Sequence, residues 1–118
     1  MTKNILIVDD AIFMRTMIKG IVKRYGYCVV GEGANGLEGI EKYKRLSPDI
    51  LLMNITMPEM DGLTALRRII EFNPKAVVVI ISAMGQKHNV LDAIHSGAKY
   101  FIVKPFQEEK IIEVLKTL

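Results

Sequence analysis

The chain is short of the residues that announce a compartment or a chemistry by themselves. One cysteine in 118 residues excludes an internal disulfide framework and a thiolate-rich metal site, and it agrees with a reducing compartment. That residue, Cys28, lies in YCVVG (27–31) between bulky apolar neighbours, where a small buried hydrophobe is expected rather than a reactive thiol. Tryptophan is absent and aromatic residues make up only 7%. The bases are scattered and not interleaved with rings, which argues against a nucleic-acid platform despite a net charge of +3. No apolar run reaches the roughly 18 residues of a membrane span, and no basic-then-apolar leader precedes the first apolar run, so a cytoplasmic protein without membrane insertion is expected. There is no glycine-rich loop ending in GK[ST], so nucleotide hydrolysis is not expected. The two histidines, His88 and His95, are about 10.5 Å apart along a helix. That is too far to share one zinc ion at about 2 Å, and both are expected at the surface.

What is present is apolar and regularly spaced. Half the residues are hydrophobic and a quarter are charged, which fits a single soluble domain over residues 1–118 with a core large enough to need no staple. Five apolar runs recur: ILIV (5–8), CVVG (28–31), ILLM (50–53), AVVVIIS (76–82) and YFIV (100–103). They are continuous rather than alternating, which predicts parallel strands covered on both faces. Helical periodicity lies between them, placing Leu37, Ile40 and Tyr43 on one face, then Leu63, Leu66 and Ile70, then Val90, Leu91 and Ile94, then Ile111, Val114, Leu115 and Leu118. In the first helical stretch Phe13, Met17 and Ile21 are expected to face inward, with Arg15, Lys19 and Lys23 as a solvated face opposite. Met14, Met17 and Met53 are expected in the core; Met57 and Met60 lie in the loop after Asn54, where contact with a partner is one reading. Strict alternation of five strands and five helices predicts an α/β, doubly wound parallel sheet with helices on both faces.

In such sheets the functional crevice lies beyond the carboxyl ends of the strands. The residues at those ends are Asp9 and Asp10 after the first run, Asn54 with Thr56 after the third, Ser82 after the fourth and Lys104 after the fifth. Adjacent carboxylates without histidine or thiol companions suit a hard cation such as Mg²⁺. An ammonium and a hydroxyl beside that cation suit a phosphoryl group, and without a nucleotide loop that group would be carried by the protein itself. Each residue also has a plainer reading, Asp9, Asp10 or Ser82 as a helix cap and Lys104 as a surface residue before a proline. Their coincidence at one sheet edge favours a site.

The motifs IVDDA (7–11), ITMPEMDG (55–62), SA (82–83) and KPF (104–106) resemble those of a response-regulator receiver domain. The resemblance runs over essentially the whole chain. VDDAIFMR (8–15), SAMGQ (82–86) and FIVKPF (101–106) are most similar to the single-domain chemotaxis type. It implies a flavodoxin-like sheet of order 2-1-3-4-5 and a cis Lys104–Pro105 bond that aims the lysine. It implies that Asp9, Asp10, the side chain at 54 and the Thr56 carbonyl hold Mg²⁺. Position 54 would take a phosphoryl group from a histidine kinase, Ser82 and Lys104 would bind that group, and Phe101 would be the switch aromatic. The output would be docking of the flagellar motor switch, or another target, on the fourth helix, fifth strand and fifth helix. Such a protein is no enzyme beyond its own phosphorylation and dephosphorylation.

One position departs from the pattern. The family has aspartate where this chain has Asn54. An amide has nearly the shape of a carboxylate, and its oxygen can still face a cation. It lacks the nucleophilic oxygen needed for an acyl phosphate, and it leaves the cluster one unit less negative, which should weaken Mg²⁺ binding. Two origins stay open: a substitution introduced into an ordinary receiver, or a natural receiver that works as a phosphorylation-independent adaptor. A receiver cut from a larger DNA-binding regulator is a third reading.

Overall fold

The computed structural model describes residues 2–83 and 87–118, with side chains for 2–83 and 90–118. Strands and helices alternate as expected: β1 Asn4–Val8, α1 Ile12–Arg24, β2 Cys28–Gly33, α2 Gly36–Leu46, β3 Ile50–Asn54, α3 Gly62–Phe72, β4 Val78–Ala83, α4 Lys87–His95, β5 Tyr100–Lys104 and α5 Glu108–Lys116. The sheet has the order β2-β1-β3-β4-β5, and each neighbouring pair is parallel.

The continuous apolar runs follow from two separate cores. Strand residues alternate between faces, so Leu6, Val8, Leu51, Met53, Val78 and Ile80 pack with Tyr43, Leu66, Ile69 and Ala93 of α2, α3 and α4. Ile5, Ile7, Ile50, Leu52, Val79 and Ile81 pack on the other side with Ile18, Val22, Ile111 and Leu115 of α1 and α5. Met53 is fully buried, and Met14 and Met17 pack against the second core. The stripes of α3 and α5 lie as their periodicity indicates. No helix among the described residues is long and apolar enough to cross a membrane.

Several sequence expectations fail at the periphery. Cys28 is exposed, because β2 is an edge strand with neighbours on one side only. Phe13 is 77% exposed, and the buried stripe of α1 is Ile18, Ile21 and Val22. A spacing of four residues drifts about 40° per step around a helix, so Phe13 and Ile21 do not share a face. Leu37 lies outward while Gly36, Gly39 and Tyr43 are buried, and at 39 a Cβ would already press on Val8. Leu91 and Ile94 are exposed, and Ala93 makes the inward contact of α4. Met57 is buried and Met60 packs against the first core, so both methionines help to hold that loop. His95 is exposed, while the side chain of His88 lies outside the described residues.

The expected basic face of α1 is not simply solvated. Arg15 Nε and Lys19 Nζ pair with the two carboxylate oxygens of Glu32 on β2, at 3.2 and 3.0 Å. Arg15 Nη1 also donates to the Asp9 carbonyl at 2.6 Å, tying the end of β1 to helix and edge strand together. The hydrogen bond from Lys19 leads in holding the Glu32 carboxyl below its ordinary value, with Arg15 adding to it and partial burial opposing both. A carboxylate with a lowered folded-state pKa stabilises above its unfolded value and loses that contribution as pH falls. Glu32→Gln is therefore expected to cost about 0.5–1 kcal/mol at pH 7. Chemical denaturation at several pH values should show the deficit shrinking below the ordinary glutamate value of 4.5, with little salt-independent remainder.

Candidate functional site

Polar residues appear where the buried strands end. Asp9 follows β1 and its backbone N–H donates to the Gly33 carbonyl at 3.0 Å, continuing the pairing with β2. Its carboxylate is not a cap for the helix interior. Oδ1 accepts from Ala11 N at 2.9 Å, and Ala11 is itself the N-cap residue of α1. Asp9 is 2% exposed whereas Asp10 is open to solvent. Burial is the largest influence on Asp9 and raises its pKa. The Ala11 N–H and the Lys104 charge pull it down, and Asp10 pushes it up again. A nearby cation would favour the ionised form of Asp9 against that burial.

Asn54 ends β3 and is 8% exposed. Its side chain is the centre of the cluster. Nδ2 donates to the Thr56 carbonyl at 2.7 Å and to Asp10 Oδ1 at 3.4 Å. Oδ1 accepts from Lys104 Nζ at 3.2 Å. The reverse amide orientation would set an oxygen against two acceptor oxygens and an NH₂ against an ammonium, so hydrogen bonding fixes this one. The amide oxygen thus faces the lysine, and the amide nitrogen faces the oxygens of Thr56 and Asp10. Lys104 Nζ also lies 3.5 Å from Asp9 Oδ2, and the Lys104–Pro105 peptide bond is cis, as the resemblance implies.

Ser82 is fully buried at the end of β4, next to the Ile81 that pairs in register with Asn54. Its Oγ donates to the Ala83 carbonyl at 3.4 Å. The SAMGQ motif beyond it runs into residues outside those described. Phe101 stands apart from the cluster. It is half-buried on β5 against the first core and lines a groove with Val103, Pro105 and Phe106.

Asp10, the Thr56 carbonyl and Lys104 therefore contact the Asn54 side chain, and Asp9 joins them through Lys104, while Ser82 ends the neighbouring strand and Phe101 lies on β5. Among the described residues no three His, Cys, Asp or Glu side chains gather as a metal cluster. The donors that do converge are hard oxygens, two carboxylates and one carbonyl, and these fit a magnesium-like ion better than a thiophilic one. Sequence reasoning missed the contribution of Arg15 to holding Asp9. The basic residue six positions after Asp9 was visible, but its partner Glu32 lies on another strand and carries no local signal.

With this geometry in place, comparison with known proteins is decisive. Residues 5–116 match the family model of the response regulator receiver domain. The chain belongs to the response regulator receiver family. It is 54% identical over 115 residues to the chemotaxis protein CheY of Thermotoga maritima, covering 98% of this chain and 96% of that protein. It is 55% identical over 119 residues to CheY of Bacillus subtilis, covering 100% and 99%. Among solved structures it resembles a CheY from Borrelia burgdorferi in a CheX–CheY–BeF₃–Mg²⁺ complex, with a TM-score of 0.94, 39% identity and coverage of 98% and 87%. The chain is thus a CheY-like receiver, a signalling protein of the two-component chemotaxis type rather than a conventional enzyme.

The loop after Asn54 is held by a glycine that cannot be replaced cheaply. Gly62 N donates to the Ile55 carbonyl at 2.7 Å, and a Cβ at Gly62 would lie 2.2 Å from the Asn54 carbonyl oxygen. Both neighbours are backbone, so the loop itself must move. Gly62→Ala is expected to destabilise the receiver by about 2–3 kcal/mol. It should also shift the backbone amide resonances of 54–56 in solution, whereas a control change at Gly20, which has room for a Cβ, should leave them in place.

Proposed function

We propose that this chain is a cytoplasmic chemotaxis receiver whose phosphorylation is blocked at Asn54. The observation that carries this reading is the position of the Asn54 amide. It sits among Asp9, Asp10, the Thr56 carbonyl and Lys104, where an aspartate would be a nucleophile with its helpers already assembled. In a phosphorylatable form a carboxylate oxygen at 54 attacks the phosphorus of a phosphohistidine carried by a histidine kinase, forming an acyl phosphate as the imidazole leaves. Lys104 offsets the negative charge on the phosphoryl oxygens, and Ser82 donates a hydrogen bond to one of them.

Mg²⁺ would be held by Asp9, Asp10, the Thr56 carbonyl and the side-chain oxygen at 54. It supplies charge neutralisation for the transferring phosphoryl group. The similar CheY of B. burgdorferi, solved with BeF₃ and Mg²⁺, supports that assignment. Asp9 is suited to it because burial makes its charge costly until a cation is near.

The output surface in this reading is the face formed by α4, β5 and α5. Leu91, Ile94, Tyr100 and Val103 are all exposed there, and the adjoining groove reaches from Phe101 to Phe106. Apolar side chains left open beside a polar rim fit a protein partner, such as the flagellar motor switch. Phe101 borders both this groove and the first core, which is where a switch aromatic must lie to report the state of the pocket.

Intact-mass spectrometry after treatment with a small phosphodonor and Mg²⁺ tests the reading. The parent chain is expected to gain nothing. Asn54→Asp is expected to gain one phosphoryl group, which Lys104→Ala should abolish or reduce by at least about tenfold. If Asn54→Asp stays unmodified under conditions that label an ordinary receiver, the chain is a phosphorylation-independent adaptor instead.

A further inference from the structure

The Asn54 amide does two jobs with one oxygen and one nitrogen. Its nitrogen stands between the Thr56 carbonyl and Asp10 Oδ1, at 2.7 and 3.4 Å. These are two of the oxygens that the proposed function assigns to a divalent cation, and the NH₂ group donates a partial positive charge to both. Its oxygen accepts from the Lys104 ammonium at 3.2 Å. An aspartate in the same place has two oxygens and can serve lysine with one and a cation with the other. Asparagine has one acceptor oxygen and must choose.

We propose that Asn54 makes cation binding and the Lys104 contact mutually exclusive, with its amide nitrogen standing in for the cation while Lys104 is engaged. The inference rests on the reading of Asp9, Asp10 and Thr56 as the cation site. For those oxygens to accept a divalent ion, the amide must turn about its Cβ–Cγ bond by half a revolution. The turn delivers Oδ1 to the cation side and points the NH₂ hydrogens at Nζ. Two donors then face each other with no acceptor between them, so Lys104 must withdraw. Among the described residues its other partner is Asp9 Oδ2, at 3.5 Å, and Asp9 is a cation ligand in the same reading. The surrogate arrangement also satisfies both amide atoms inside a pocket where an unmade hydrogen bond is costly. Asn54 therefore does more than remove a nucleophile: it closes the cation site from within and makes Lys104 its latch.

Calorimetric titration with MgCl₂ of four chains tests this: the parent, Lys104→Met, Asn54→Asp and the double variant, each first shown to be folded by thermal unfolding. Removing the lysine relieves cation–cation repulsion in either background, but only in the Asn54 background does it also release the shared oxygen. Lys104→Met is expected to tighten Mg²⁺ binding in the parent by a factor at least about tenfold larger than in Asn54→Asp, the size of one charge-assisted hydrogen bond. Equal factors in the two backgrounds would overturn the proposal and leave Lys104 acting through space alone. Absence of binding even in Asn54→Asp would overturn the cation-site reading itself. A second readout needs no substitution: the side-chain NH₂ resonances of Asn54 in the parent are expected to move on saturation with Mg²⁺, and binding without such movement would also sink the idea.

Discussion

Two-sided burial of the central strands constrains everything that happens at the sheet edge. β1, β3 and β4 have no solvent-facing side, so Ile5 to Val8, Ile50 to Met53 and Val78 to Ile81 can carry only apolar side chains. The first polar groups along each strand appear where the helices no longer cover it. Those groups emerge together, in a half-desolvated crevice, and have mainly one another as partners. The crevice does not permit isolated charge, and its contents reflect that: Asp9 with the Ala11 N–H and Lys104, Asn54 with both carboxylate and ammonium sides, Lys104 with Asn54 and Asp9.

The centre of the molecule was legible in the sequence because it is where local pattern and tertiary environment agree. Uninterrupted runs such as ILIV and ILLM admit few environments other than a doubly covered parallel strand, and the residue that terminates each run is a matter of reading one letter further. The margin was less legible. The exposure of Cys28 depends on β2 having a single neighbour, and the exposure of Phe13 on where α1 meets the sheet; neither is a property of a local window. Leu91 and Ile94 have the right spacing for a core stripe, yet Ala93 takes that place. Apolar periodicity identifies a helix face without saying whether the protein itself or another molecule covers it.

The orientation of the Asn54 amide was the feature least visible beforehand. Sequence identifies the residue and the resemblance identifies the position, but which end of the amide meets which neighbour depends on three partners from three strands. Lys104 arrives from β5, Asp10 follows β1, and Thr56 lies two residues further along the same loop. A carboxylate would be indifferent to that choice because its two ends are alike. Replacing one oxygen by NH₂ makes the pocket polar in a directional sense, and the direction is set by whichever neighbour is the strongest donor.

The strand order also carries a consequence for how the chain is made. β1 precedes all other strands yet sits between β2 and β3. A nascent chain that has emerged through Gly33 can pair β1 with β2, fastened by Arg15 and Lys19 reaching to Glu32. It still holds the other edge of β1 open until residues 50–54 leave the ribosome. At the synthesis rates of about 5–20 residues per second, that interval lasts roughly one to four seconds. During it, the unpaired backbone N–H and C=O groups along one edge of an apolar strand are available to any neighbour. Placing the earliest strand at the centre of the sheet thus gives the growing polypeptide a brief window of vulnerability to misassociation, which closes when β3 docks.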